Sequence, residues 1–190
     1  ENDCGRRWTW AVPESGLDWG ERKQNVHPSV TLAFRCESPY WFSIGKSELD
    51  IRAREDGLRL PMAFPLKLGS RVFGHTARNE GQSDAPVTVV IEGCGETPAL
   101  VNDSTGAELR LVSPLPSGDA LTVNTDPAEL SAVVTRGDGT EENGFGLLDP
   151  ASSVAAFALR PGDNALRYAP DGESSETRIR LSWHERYEGV

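Results

Sequence analysis

Three histidines, three cysteines and 29 carboxylates are the side chains of this 190-residue chain whose types could bind a metal, attack a bond or move a proton. His27, His75 and His184 each stand without a second His or a Cys at ligand spacing, so the pattern gives no zinc site and reads as ordinary surface or edge histidines. Cys4, Cys36 and Cys94 are odd in number and none sits in a CxxC pair, which is no disulfide framework. Cys36 and Cys94 fall in apolar, strand-like runs, where a free thiol is expected to behave as a small hydrophobe. Three reduced thiols fit a protein assembled in cytoplasm. There is no GxSxG elbow, Walker loop or dinucleotide fingerprint. A glycosidase needs only two facing carboxylates, but most acids here lie in turns or on the polar side of strand-like runs, where solvated charge accounts for them. No catalytic, cofactor-binding or metal-binding residue is assigned, and the chain is not expected to be an enzyme.

Two further segments have types that could recognise something. Arg136-Gly137-Asp138-Gly139-Thr140-Glu141-Glu142-Asn143 contains an Arg-Gly-Asp tripeptide and is acidic like a calcium loop, but its oxygens do not follow the EF-hand order. It reads as a hairpin whose Asp-Gly turn accommodates positive φ. Trp8, Trp10, Trp19, Tyr40 and Trp41 crowd into the N-terminal part of the chain. A partly exposed Trp offers a large, rigid contact surface, so these five are the candidate interaction residues. A sugar platform, a protein interface and a packed domain junction all suit them.

Strands must position these groups, because period-2 alternation dominates the chain. Large apolar residues take the even positions of Val30 to Cys36, and Leu49–Ala53, Val87–Glu92, Glu108–Leu111, Ala120–Asn124 and Arg178–Trp183 alternate as well. Weaker strand signals cover Arg71–Thr76, Ala99–Asn102, Leu130–Arg136 and Ala165–Tyr168. One face of each is fit for a core and one for water, as antiparallel sheets require. Gly, Pro, Asn and Asp clusters separate them, and strands about ten residues apart with turns between indicate a sandwich or barrel. The one helical turn expected has Asp149 as N-cap and Pro150 at the first helical position. The fold class read from this pattern is all-β, an antiparallel two-sheet jelly-roll sandwich with an N-terminal β arm. A soft boundary near Gly45 separates the arm, 1–45, from the sandwich, 46–190.

With 19 Lys and Arg against 29 Asp and Glu, the net charge is −10, which repels phosphate backbones and anionic lipid. No measurable duplex DNA binding is expected at physiological salt. No apolar run approaches the roughly 20 residues of a membrane helix. The start, Glu1-Asn2-Asp3-Cys4, has neither Met nor the layout of a signal peptide, so the sequence is expected to be a processed form or the ordered part of something longer.

The order of several segments resembles the distal tail proteins of siphophages. Ser38-Pro39-Tyr40-Trp41 is similar to a strand-ending element of that family. Asn79-Glu80-Gly81 leading to Pro86-Val87 resembles its Asn-x-Gly and proline-led strand. Asn102-Asp103-Ser104-Thr105-Gly106, Gly118-Asp119-Ala120-Leu121-Thr122-Val123-Asn124-Thr125 and Leu159-Arg160-Pro161-Gly162-Asp163-Asn164 follow in family order, before an Arg186-Tyr187-Glu188-Gly189-Val190 ending. The likeness runs from Val30 to the C-terminus. It implies a galectin-like jelly roll, preceded here by the last strands of a ring-forming domain. It also implies a virion tail component, assembled in the host bacterial cytoplasm, at the tail tip or baseplate. Its partners would be the tail tube, the tail hub and a receptor-binding protein, with a homo-oligomeric ring in the full-length context, a part in host recognition and no cofactor. The family's ring domain is longer than the stretch preceding Val30, which leaves ring formation by this chain alone in doubt. The alternative function is a carbohydrate-binding module recognising a cell-surface glycan, with weak glycan affinity in the isolated chain.

Overall fold

The computed structural model describes residues 6–16, 31–52, 73–93, 97–169 and 177–189, and their regular secondary structure is almost entirely strand. Trp19, Cys4, Cys94 and His27 lie outside the described residues. The strands are β1 (Arg7–Trp8), β2 (Ala11–Ser15), β3 (Ala33–Cys36), β4 (Trp41–Ser43), β5 (Ser47–Arg52), β6 (Phe73–Asn79), β7 (Ala85–Pro86), β8 (Thr88–Glu92) and β9 (Ala99–Asn102). After them come β10 (Ala107–Arg110), β11 (Ala120–Asn124), β12 (Ser131–Thr135), β13 (Glu141–Asn143), β14 (Ala158–Leu159), β15 (Gly162–Ala169), β16 (Arg178–Trp183) and β17 (Arg186–Tyr187). A six-stranded antiparallel sheet runs in the order β13-β12-β11-β8-β16-β5, and a four-stranded one runs β10-β9-β15-β6.

Register turns the alternation into a core. Ile51, Ile179, Ile91, Leu121 and Val134 lie side by side across the large sheet, and Leu181, Val89, Val123 and Ala132 form the next row. All of these are buried. The inner face of the small sheet supplies Leu166 and Tyr168 from β15, Leu100 from β9 and Leu109 from β10, in one continuous cluster with the large sheet's rows. The architecture is thus an all-β sandwich, each fully buried aliphatic side chain contributing about 1.5–3 kcal/mol relative to exposure.

Three buried asparagines, Asn79, Asn102 and Asn164, hold one end of the small sheet. The Asn164 amide donates to Arg160 O (2.8 Å) and Gly162 O (3.1 Å), while its Oδ1 accepts from Arg160 N (3.0 Å). Asn79 donates to Leu159 O (2.9 Å) and Asn102 to Ala158 O (3.1 Å). Together they clamp the turn at 158–162 and give its carbonyls side-chain partners, the one at buried Leu159 included. The Asn-rich turns that looked like family punctuation are thus internal supports.

Several expectations need correction. Asp149 and Pro150 start no helix. Asp149 N bonds Arg110 O and Ser153 N bonds Glu108 O, both at 2.8 Å, so this stretch runs along the open edge of β10. Asp149 closes a single turn, accepting from Ser152 N at its carbonyl (2.8 Å) and from Ala151 N at Oδ1 (2.8 Å), and the strand-like bonding that follows keeps that turn from continuing as a helix. Short 3-10 turns occupy Phe145–Leu147 and Val154–Ala156. Cys36 lies in a strand but is exposed, not a core hydrophobe, because β3 pairs with β2 in a two-stranded ribbon that covers neither face. The Arg136–Asn143 hairpin forms as read, with Gly139 at φ +86 and Arg136 held by Asp119 (2.8 Å) and Glu142 (2.7 Å).

Candidate interaction site

The arm strands lie outside the two sheets of the sandwich and are made of short pieces. β1, β4 and β17 form a three-stranded sheet, with Trp8 opposite Phe42, and Phe42 opposite Arg186 on its other side. The last strand of the chain therefore pairs with the arm, and Ser43 N bonds Glu185 O (3.1 Å) at the same seam.

Trp8 is half-buried in this junction. Its Nε1 donates to Ser43 O (2.8 Å), and its ring lies 4.9 Å from Phe42 and edge-on to His184 at 5.6 Å. Arg186 closes the cluster from the sandwich side. Its guanidinium donates to Asp126 Oδ2 (2.6 Å) and stands 5.3 Å from the Tyr40 ring and 5.7 Å from Phe42. Arg7 sits 3.8 Å over Tyr187 and donates to Gly189 O. Such cation–π placements contribute roughly 0.5–2 kcal/mol each, depending on desolvation.

Beneath Arg186 lies the Asn79-Glu80-Gly81 turn. Gln82 N donates to Arg186 O (2.8 Å), and Asn79 Oδ1 accepts from Gly81 N (2.9 Å). A side-chain carbon at Gly81 would lie 2.7 Å from Arg186 O, closer than such atoms approach, so only glycine lets the last strand pass here.

The structure divides the five candidate aromatics. Trp8, Tyr40 and Trp41 are half-buried in or beside the junction, Trp8 against Phe42 and Tyr40 near the Arg186 guanidinium. Trp10 meets Trp8 edge-on at 5.9 Å yet is 75% exposed. It leads into the β2–β3 ribbon, where Val12, Leu32 and Phe34 are each about half exposed or more. Phe42, His184, Arg186 and Tyr187 belong to the cluster although they were not among the candidates. An Arg-Tyr pair at the end of an aromatic-rich chain was the available signal for the last two.

A second feature is a cleft of about 280 Å³ where the edge strands of the two sheets, β5 and β6, face each other beside the end of β16. Glu185 in its wall is buried and accepts a hydrogen bond from Ser47 Oγ. Trp183, 5% exposed, also lines it, and its buried Nε1 has no hydrogen-bond partner among the described residues. Leaving such a donor unpaired costs about 1–3 kcal/mol. Among the described residues no group of three His, Cys, Asp or Glu is placed to hold a metal, and no helix is long and apolar enough to cross a membrane.

No curated protein and no solved structure matches the chain. A family model does: that of the siphovirus-type tail component, C-terminal domain, matches residues 80–187. The matched span begins at the Asn79-Glu80-Gly81 turn, ends on the strand that this turn supports, and covers most of the sandwich and more than half of the 190 residues. The chain belongs to the siphovirus-type tail component family, the distal tail proteins of siphophages.

Proposed function

We propose that this tail component is a structural, non-catalytic piece of the tail tip or baseplate that links the tail tube to host-recognition proteins. In this reading the galectin-like jelly roll is the decorating domain, 46–190, and the arm, 1–45, is its attachment to a ring. The observation that supports it most directly is the β2–β3 ribbon. Two strands alone are marginal in water, and this ribbon leaves Trp10 at 75% and Phe34 at 57% exposure. Large apolar side chains exposed on both faces of such an element are the kind of surface an interface covers. The neighbours are tail proteins: other copies of the same protein in a ring, the tube above and the hub or receptor-binding protein below.

The double substitution Trp10→Ser, Phe34→Ser tests the reading. The variant is expected to keep the melting temperature within about 2 °C, since neither side chain is buried. In a complementation assay it should fail to enter assembled tails. Incorporation at the normal level would overturn the docking role of the arm.

A further inference from the structure

We propose that the seam between the arm and the sandwich holds a docking cleft for a short acidic peptide segment of a neighbouring protein, separate from the β2–β3 ribbon. The cleft measures about 510 Å³ and opens at the exposed bend that joins β4 to β5. Arg6 and Arg7 line it from the arm, and Ile44 and Lys46 line it from the bend. Glu80 and Glu185 line it too. Both also line the β5–β6 cleft, which places them on the side facing that cleft.

The charges of this wall select the occupant. Glu185 is buried and accepts from Ser47 Oγ, and Glu80 pairs with Arg78 at 3.5 Å. Arg6 and Lys46 are exposed, and neither has an ion-pair partner among the described residues. The uncompensated charge at the mouth is therefore positive, against the trend of the chain. Residues 1–46 carry six Lys and Arg against six Asp and Glu, whereas residues 47–190 carry 13 against 23. A carboxylate brought to Arg6 and Lys46 gains charge-assisted hydrogen bonds, about twice as strong as neutral ones. Ile44, 50% exposed on the same wall, offers an apolar contact that a simple inorganic anion would leave unused. Glu80 and Glu185 on the other side disfavour a ligand charged along its whole length. An acidic residue followed by apolar and uncharged ones satisfies all three conditions. The volume lies within the roughly 300–1,000 Å³ of small-ligand sites, enough for a few peptide residues and too little for a folded domain. The net charge of −10 repels such a segment at long range, but at 0.1 M salt charges beyond about 10 Å are screened and the local cations decide.

The test uses the whole 190-residue chain and two blocked peptides, Glu-Glu-Leu-Ser-Ser and its uncharged counterpart Gln-Gln-Leu-Ser-Ser. NMR titration is expected to show the acidic peptide saturating with a dissociation constant on the order of 0.1–1 mM at about 0.1 M salt. Such an affinity suffices between neighbours held in one assembly, where effective concentrations reach the millimolar range. The uncharged peptide should bind at least about tenfold more weakly. The pair Arg6→Glu, Lys46→Glu should weaken binding of the acidic peptide at least about tenfold while keeping the melting temperature within about 2 °C, since both side chains are exposed. If that pair does not fold, Arg6→Gln, Lys46→Gln serves instead. Arg35→Glu, Arg160→Glu changes the net charge equally at exposed positions outside the cleft and should leave binding unchanged. No saturation, equal binding of the uncharged peptide, unchanged binding by the folded cleft variant, or an equal loss in the Arg35, Arg160 variant would each overturn the proposal. So would self-association of the unaltered chain in sedimentation that the cleft variant abolishes, which would make the occupant a second copy. The Trp10→Ser, Phe34→Ser variant should bind the acidic peptide as the unaltered chain does, so that a failure of the ribbon's docking role and a failure of the cleft are read separately.

Discussion

In the sandwich, β8, β11 and β16 place alternate side chains against a second sheet, and Val89, Leu121 and Leu181 are completely buried. In the arm, β3 alternates too, yet Phe34 faces solvent, as does Val12 of the neighbouring β2. The same two-residue period has opposite outcomes. Alternation states that a segment has an apolar face; whether that face finds a cover depends on how many strands stack beside it. The sandwich covers its apolar faces within the chain, while among the described residues the ribbon has no second layer over either face. Between them lies the junction around Arg186, where the C-terminal strand belongs to both.

That contrast can be broken at its strongest point first. Asn164→Ala removes a fully buried amide that holds Arg160, Gly162 and, in the interior, Ala77 O, and is expected to destabilise the sandwich by about 2 kcal/mol. Urea denaturation checks this, and a change under about 1 kcal/mol would mean that the 158–162 turn supports itself. Arg186→Ala acts at the junction and should cost about 1.5 kcal/mol, the range of one charge-assisted hydrogen bond. It should shift tryptophan emission more than it lowers stability, because Phe42, against which Trp8 packs, loses the guanidinium that ties it to Asp126. Equal loss in both readouts would show that the arm and the sandwich unfold as one.

The smallest effect concerns acid. Arg178 hydrogen-bonds the Asp50 carboxylate across β5 and β16, and Arg52 assists, holding its pKa down from 3.8 to about 2 despite an opposing contribution from partial burial. A depressed carboxylate stabilises the fold fully above its unfolded value and loses that contribution as pH falls through the folded one. Melting temperature should therefore be insensitive to this pair above about pH 4 and fall between about 4 and 2. Asp50→Asn should flatten that fall while costing no more than about 2 °C at neutral pH, since the pair is solvent-screened.

Much of the sandwich was legible because its strands are half-buried. Ala120–Asn124 and Arg178–Trp183 have the same bounds in sequence pattern and structure. Leu130–Arg136 was a weak signal because Ser131, Val133 and Thr135 face outward, and β-branched residues there blur the alternation. Asp149-Pro150 misled because helix-start chemistry is also turn chemistry, and only the neighbouring β10 edge decides between them. Val30–Cys36 gave a strand but not its exposure. Within the junction the tryptophans were visible as a cluster, whereas Arg186 was not. Its role depends on Asp126 and Phe42, 60 and 144 positions away, and no local pattern encodes that. The orphan Trp183 donor is likewise invisible in sequence, since an indole at a strand end looks the same with or without a partner.

The pairing of β5 with β16 has a consequence in time. Ser47 lies opposite Trp183 and Asp50 bonds Arg178 across 128 positions, so an early segment waits for a very late one. During synthesis β5 emerges with no neighbour, and the six-stranded sheet cannot close until β16, more than 120 positions later, has left the ribosome. Pairings of such long separation form slowly, because the loop must be closed before any contact rewards it. The unpaired edges of β8 and β5 are open to other nascent chains throughout that interval. The large sheet is thus completed late, only once β16 has come back to β5 and β8.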